Sequence, residues 1–435
     1  MKVIDERKLK EKFIVGTEKD FYRNIKKYDE SMIPVMKARG YTCIRSAERT
    51  VAFTFGEFCF SRRKWKRGSE WYSPVDVWLG LDKNSRYSKE LIYQIAELST
   101  MMSYDHVVKV VQMMYHVKIT KPTVIKTVKF ADQLRNQYEE YQYYQEEVKK
   151  KDKIKADIIF VEGDGVFLRV LDEENKASYR DFAHFVIHTG SKKIEKNRWK
   201  LENKKSIMSI SNRHAREMVL DYLYQNFEIT ENTILITNSD GGHGYTPYVF
   251  KEFAKVLGIK RHEHFWDEFH VYKEIDQTYK GYPEDLKNKL YQSIQTHDKK
   301  LLRTVLDTTE SLLTSAEEEN FSKFSKKFLR NFQYTKPLEL RGFRYLPIGI
   351  MESQHRKITY RMKKRGMIWS QTGAESMTNM ILLSKSGQLR ELFFGEWRKE
   401  YQEYKAAEEL TAATIKVRQN HIKKDYQFYS LKKRW

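Results

Sequence analysis

Cysteine is nearly absent: the chain has two, Cys43 and Cys59. That excludes a disulfide framework. Neither residue has Cys or His partners at zinc-finger spacing, so both read as packed or idle thiols. Long apolar runs are missing as well. No uninterrupted stretch approaches the roughly 20 residues that span a bilayer, and the first ten residues hold no apolar segment of signal-peptide length. These absences point to a soluble, intracellular protein with no membrane partner. Acid is in short supply too, with 59 Asp and Glu against 80 Lys and Arg, a formal charge of +21. The excess is spread along the chain, and a field of that sign attracts polyanions, nucleic acid first and an anionic membrane surface second.

What is present is enough chain, 435 residues, for a sizeable core in two or three domains. Tyrosines alternate with Lys and Arg, a mixture that suits phosphate contact with base stacking and equally suits side chains snorkelling around a core. Residues 1–40 have helical spacing ending at Arg39-Gly40, an expected C-cap. Residues 41–85 form a small β region. There Val51, Phe53 and Phe55 alternate, Phe58 and Phe60 resume, and the basic run from Ser61 to Gly68 closes it. A DNA-contacting ribbon and a charged edge that blocks strand pairing fit this run equally.

Residues 86–130 read as helix-turn-helix. Ser103 is placed to cap a helix lined by Val107, Val108, Val111 and Met114; after a short break, Thr120 is an N-cap with Pro122 in the first turn. Lys121, Thr123, Lys126 and Lys129 would be displayed toward DNA, although such helix pairs also serve as plain bundles. Residues 131–156 are polar, without Gly or Pro, and are expected to be a charged helical linker.

From residue 157 the pattern changes. In Ile158-Ile-Phe-Val-Glu-Gly-Asp164-Gly-Val-Phe-Leu-Arg-Val170, four apolar β-formers reach an acid between glycines and a second apolar run follows. This predicts a strand, a tight turn and a returning strand, with Asp164 either shaping an Asp-Gly turn or binding a cation. Thr233 to Gly244 repeats the device at Asp240. A mixed sheet with its first strand central would bring the two aspartates together, and two like charges call for a cation. Further on, His262-Glu-His264-Phe-Trp-Asp267-Glu-Phe-His270 offers either a zinc site or an Asp267/His270 pair at a helix start. These segments make up 157–283, followed by an all-helical insertion over 284–340.

The last part of this core is expected over 341–395. Between Arg341 and Gly366, Glu352 is the sole acid among eight Lys and Arg. A helix starting near Met351 would carry Glu352 in its first turn, with His355, Arg356, Thr359 and Lys363 above it. An acid there suits the helix dipole alone, and it also suits a metal ligand beside a phosphate backbone. Arg356, Arg361, Lys363, Lys364 and Arg365 would contact that backbone. Glu375 competes as the third acid. Residues 396–435 form a basic C-terminal helix and tail.

The set Asp164, Asp240 and Glu352 resembles that of transposases with a ribonuclease-H-like core. More narrowly, the chain resembles bacterial insertion-sequence transposases of the ISLre type, relatives of the Mutator-like group. The resemblance covers most of the chain and rests on Gly163-Asp164-Gly165, Asp240-Gly241, Trp266-Asp267-Glu268-Phe269-His270, and Glu352 followed by Arg361-Met-Lys-Lys-Arg-Gly-Met-Ile-Trp369-Ser370. It implies an α/β catalytic core of ribonuclease-H-like type with a helical insertion, preceded by the β-hairpin and helix-turn-helix. It implies two Mg²⁺ ions, with Mn²⁺ as substitute, on Asp164, Asp240 and Glu352, and an accessory role for Asp267 and His270. It implies terminal inverted repeats and target DNA as partners, a homodimer or larger assembly on DNA, and a bacterial cytoplasmic, nucleoid-associated location.

The chemistry would be metal-dependent cleavage and transfer of DNA strands, for which hard cations need carboxylate oxygens. Two alternatives share the residues: a ribonuclease-H-type nuclease without strand transfer, and a non-catalytic, DNA-binding transposase remnant.

Overall fold

A computed structural model describes residues 6–148, 152–196, 198–363 and 366–415. The chain forms two compact units, Met1–Lys149 with Leu383–Trp435, and Lys150–Leu382. Among the described residues no helix is long and apolar enough to cross a membrane.

The first unit begins with α1 (Glu6–Ala38), which ends at Gly40 in the left-handed region, φ +78°. An antiparallel sheet follows, β1 (Thr42–Phe53), β2 (Gly56–Arg67) and β3 (Glu70–Tyr72), then the short α2 (Pro74–Trp78). Val51, Phe53, Phe58 and Phe60 of the sheet close on Ile25 of α1 and Val75 of α2. Next come α3 (Lys89–Met101), α4 (Tyr104–Tyr115) and α5 (Lys121–Val148), packed through Leu91, Ile95, Val107, Val111 and Val124.

Helices α4 and α5 stand where the two helices were expected, but the second does not stop near residue 130. It continues to Val148, into the expected linker, as one 28-residue helix, because no Gly or Pro interrupts it after Pro122. Lys126 and Lys129 are exposed, Lys121 is exposed and 3.0 Å from Asp105, and Thr123 is half-buried with its hydroxyl 3.1 Å from that of Thr120.

The second unit is a mixed α/β assembly. It runs β4 (Ile154–Lys155), β5 (Ile158–Leu171), β6 (Ala177–His188), β7 (Gly190–Glu195), β8 (Arg198–Glu202), β9 (Lys205–Ser209), α6 (Asn212–Asn226), β10 (Phe227–Glu228), β11 (Ile234–Ser239), α7 (Pro247–Leu257), β12 (Arg261–Trp266) and α8 (Glu268–Thr278). Helices α9 (Glu284–Gln295), α10 (Lys299–Glu310) and α11 (Glu318–Asn331) follow, then α12 (Met351–Met362), β13 (Trp369–Ser370) and α13 (Gln371–Lys385). Phe321, Phe324 and Phe328 of α11 pack with Leu290, Leu302 and Leu306, so these three helices share an apolar core, which Val271 and Ile275 of α8 join. The chain closes in the first unit with α14 (Leu389–Phe394) and α15 (Trp397–Ile415). The basic residues expected to end the tail lie outside the described residues.

The main sheet has the order β12-β11-β5-β6-β9, with β13 beside the far end of β5. β11 and β12 run parallel to β5, and β6 runs antiparallel to it. The first strand is therefore central. One face packs Ile159, Val161, Phe185, Ile187 and Leu235 against Val219 and Leu223 of α6 and Phe250 and Phe253 of α7. The other gathers Phe160, Ile236, Phe265 and Leu346.

One local expectation fails. There is no hairpin at Asp164: β5 runs unbroken through Glu162-Gly163-Asp164-Gly165 for 14 residues, and the chain turns back only after Leu171. The glycines serve close packing instead. A Cβ at position 163 would sit 2.6 Å from the Phe185 ring, and one at 165 would sit 2.3 Å from the Asp181 carboxylate. Glycine between strand residues marks close approach as readily as a turn.

Candidate active site

Strand register builds the site. Ser239 of β11 pairs with Gly163 of β5 and with Trp266 of β12. The next residue on each strand is an aspartate, so Asp240, Asp164 and Asp267 stand level at the ends of pairing on three neighbouring parallel strands. Alternation puts Asp164 on the face of Phe160 and Glu162, the face that carries α12.

The charges feel one another. Burial, then the neighbouring Asp240, pushes the Asp164 carboxyl up to about 7; Asp267 adds to the push, and the Gly165 N–H and His270 oppose it. That N–H donates to Asp164 Oδ1 at 2.7 Å. Asp240 leaves β11 into a tight turn in which its Oδ1 accepts the Gly242 N–H at 2.8 Å, while its backbone carbonyl accepts the Trp266 indole N–H, also at 2.8 Å. Gly241, at φ +72°, supplies the left-handed backbone this turn needs.

Asp267 caps α8 by accepting the His270 backbone N–H at 3.0 Å, and its Oδ1 lies 3.1 Å from His270 Nδ1. Burial would raise Asp267, but the contacts from His270 outweigh it and hold the carboxyl below its usual range. In return Asp267 raises His270, with smaller contributions from Asp164 and Asp240. Of the two readings of His262–His270, the pair at the helix start is the one present. His262 and His264 turn elsewhere, each with a ring nitrogen 2.8 Å from the Thr237 hydroxyl.

The helix expected to deliver the third acid is rotated relative to expectation. Met351, Gln354, His355, Ile358, Arg361 and Met362 form the buried face of α12. Glu352 and Arg356 are exposed and 3.3 Å apart, a one-turn surface pair. It is His355 that faces the aspartates, with Nδ1 3.6 Å from Asp164 Oδ2. Burial pulls His355 down to about 4, so the ring is neutral near pH 7. Glu352 reaches the cluster only as a charge felt at His355. Arg361, expected at the DNA backbone, is 2 % exposed, with its guanidinium 5.0 Å from the Trp369 ring centre and 3.0 Å from Met367 Sδ. Of the face expected above Glu352, only Arg356 meets it; His355 points the other way, because the apolar stripe that decides the inward face is interrupted by basic residues. Lys363 is half-buried at the end of α12. Lys364 and Arg365 lie outside the described residues. Glu375, the competing acid, sits in the first turns of α13, where its Oε1 accepts the Ser209 hydroxyl at 3.0 Å.

Three contributors were missed. Glu162 is fully buried, and its Oε2 accepts the N–H groups of Gly349 and Ile350 at 2.9 and 3.0 Å, fastening the start of α12 to the central strand. Burial drives its pKa up, against His188 and those two N–H donors. His184, opposite Asp164 on β6, is fully buried with its ring 5.2 Å from that of His355. Burial, then His355, pulls it far below the ordinary histidine range. Lys204 donates to Gln354 Oε1 at 2.6 Å, and Lys357 donates to the same oxygen at 2.7 Å. Burial and Lys357 lower Lys204 to about 7. The alternation in β5 could have flagged Glu162, since it shares a face with Asp164; nothing local marks Lys204.

Among the described residues no three His, Cys, Asp or Glu side chains converge closely enough to hold a metal ion as they stand. The donor chemistry still suits a hard cation. Asp164 and Asp240 follow paired residues on adjacent strands, and the Asp164 carboxyl is raised first by burial and then by Asp240, both of which a bound cation would offset.

Fold and site together define a mixed α/β protein with aspartates ranked at the ends of three parallel strands. By sequence, the chain belongs to the UPF0236 family, described as an uncharacterised protein family, which it matches over residues 14–400. A relative is the UPF0236 protein in vanSb 3′ region of Streptococcus gallolyticus, 27% identical over 369 residues, which are 83% of this chain and 78% of that protein. Among solved structures, the Drosophila P element transposase strand transfer complex matches 73% of this chain and 83% of that chain at 10% identity and a TM-score of 0.24, too distant to bear on fold or chemistry.

Proposed function

We propose that the chain is a DNA transposase with a ribonuclease-H-like core, cleaving and joining DNA strands at a centre built on Asp164 and Asp240. The observation that carries this reading is the level row Asp164, Asp240 and Asp267 on adjacent parallel strands, with Asp164 pushed up to about 7 by burial and by Asp240. Mg²⁺, with Mn²⁺ as substitute, fits the oxygen donors of Asp164 and Asp240. When bound, such ions supply an activated water or 3′-hydroxyl and neutralise charge at the leaving oxygen. The chain's own groups do the rest. Glu162 fixes α12 against β5, neutral His355 lies beside Asp164, and Asp267 holds the His270 ring at the start of α8 next to the carboxylates. The formal +21 charge favours a polyanionic substrate, and α4–α5 with Lys126 and Lys129 is our candidate for reading the element's ends.

Glu352 and Glu375 compete as the third ligand. Glu352 stands on the solvent side of α12 paired with Arg356, whereas Glu375 is half-buried and hydrogen-bonded to the end of β9. Variants Glu352→Gln and Glu375→Gln decide between them.

The test combines purified protein, DNA carrying the ends that flank its gene, and Mg²⁺ or Mn²⁺. Joined products from wild type, absent with Asp164→Asn, Asp240→Asn or EDTA, are the expected result. Cleavage without joining would replace the transposase with a nuclease. Salt-sensitive binding without any product would make the chain a DNA-binding remnant.

A further inference from the structure

The hairpin β7–β8 was not anticipated from the sequence, and the chemistry above does not use it. It forms its own two-stranded sheet, off the main one. Residues 190–202 carry five Lys and Arg against two Glu, and Lys192 to Glu195 and Arg198 to Lys200 are all exposed. Lys192 stands directly opposite Lys200, and Lys193 opposite Trp199. Like charges facing each other across a strand pair weaken it, and an isolated two-stranded hairpin is marginal in water to begin with. Trp199 is nevertheless 54% exposed, and its ring lies 6.2 Å from that of Tyr345, itself 64% exposed, with the planes 35° apart.

Strand alternation puts Lys193 on the face of Trp199, and Lys192 with Lys200 on the other. Two open aromatic faces beside the Lys193 side form a site for a polyanion whose rings can stack: a phosphate of a nucleic-acid strand meets Lys193, and an unpaired base supplies the flat apolar partner. A duplex offers only the first of these, since its bases are stacked on one another. Position supports the same occupant: Tyr345 lies five residues before Ile350, the segment fastened to Glu162 beside Asp164.

We propose that the β7–β8 hairpin and Tyr345 form a binding platform for single-stranded DNA, with Trp199 and Tyr345 receiving an unpaired base and Lys193, the cross-strand partner of Trp199, holding the adjoining phosphate. This rests on the reading of the chain as a DNA-strand-processing enzyme and adds how a strand freed from the duplex is held.

The experiment is fluorescence anisotropy of the full chain with a labelled single-stranded oligonucleotide and the matching duplex, in EDTA so that no cleavage enters. It is paired with photocrosslinking of a 5-iodouracil-substituted strand. Trp199→Ala should weaken single-strand binding about 5- to 150-fold, the worth of one stacked base, with little change for duplex, while Trp199→Phe retains most of it. Lys193→Gln should lower the slope of log K against log salt by about 0.7. Crosslinks should map to Trp199 or Tyr345. Single-strand affinity unchanged in Trp199→Ala overturns the proposal, and so does an equal loss for strand and duplex. Platform and chemistry therefore fail separately: a chain that never cleaves DNA can still lose strand binding with Trp199.

Discussion

Asp164 Oδ2 and His355 Nδ1 lie 3.6 Å apart, and each side chain is held in its neutral direction by the same burial. Asp164 titrates near 7 instead of 3.8, and His355 near 4 instead of 6.5. The metal-free site thus avoids charge on both sides of this contact, and the following outcomes test that balance.

Asp164→Asn should stabilise the metal-free protein above pH 7. A carboxyl whose folded pKa is raised contributes stability that is fully present below its unfolded value and lost as pH rises through the folded one. For Asp164 the window runs from about 4 to about 7, and the shift corresponds to roughly 4 kcal/mol at most. Thermal melts in EDTA at pH 5 and pH 8 should show the variant's advantage appearing only at the higher pH. Adding Mg²⁺ or Mn²⁺ should then raise the wild-type Tm and leave the variant unmoved.

His355→Gln should flatten the acid limb of stability. A histidine whose folded pKa is depressed contributes stability present above its unfolded value and lost as pH falls through the folded one, here from 6.5 to about 4. The full swing is on the order of 3 kcal/mol. Urea unfolding at pH 4.5 and pH 7 should show a smaller difference for the variant than for wild type.

Glu162→Ala should cost about 3 kcal/mol, because it removes the acceptor of two N–H groups at the start of α12 and leaves a cavity around the buried position. Glu162→Gln retains an acceptor oxygen and should cost less than half as much. Hydrogen exchange at Gly349 and Ile350 reads the anchor directly, with fast exchange expected in the alanine variant alone.

Gly163→Ala should destabilise by about 1–3 kcal/mol, since the new methyl would lie 2.6 Å from the Phe185 ring inside a packed core. Pairing it with Phe185→Leu should recover part of the loss in the same denaturation assay. A neutral effect would mean that this glycine serves something other than packing.

Asp267→Asn should lower the pKa of His270, whose rise comes first from Asp267 and only then from Asp164 and Asp240. An NMR titration of the imidazole follows this without reference to activity. Asp164→Asn should move the same resonance in the same direction by a smaller amount.

Much of the fold was legible because it is written in short-range pattern. The apolar runs at Ile158 and Thr233 announced buried strands, and the 3.6-residue stripe of Val219 and Leu223 announced the helix between them. Parallel order around a central first strand followed from connection rules, and with it the neighbouring of Asp164 and Asp240. The turn at Asp164 was misread because Asp-Gly is a turn signal only where the backbone bends; here the glycines make room for Phe185 and Asp181, which arrive from another strand.

Sequence by itself determined the carboxylate pair, the positive charge, the Asp267–His270 cap and the start of α12, since each depends on residues close in the chain or on simple strand order. Only tertiary structure decided which face of α12 turns inward, that His355 and not Glu352 meets Asp164, that Glu162 anchors that helix, and that Lys204 shares an amide oxygen with Lys357. These are contacts between segments as far apart as Asp164 and His355, set by how side-chain volumes fill the sheet's second face. No local spacing encodes that fit.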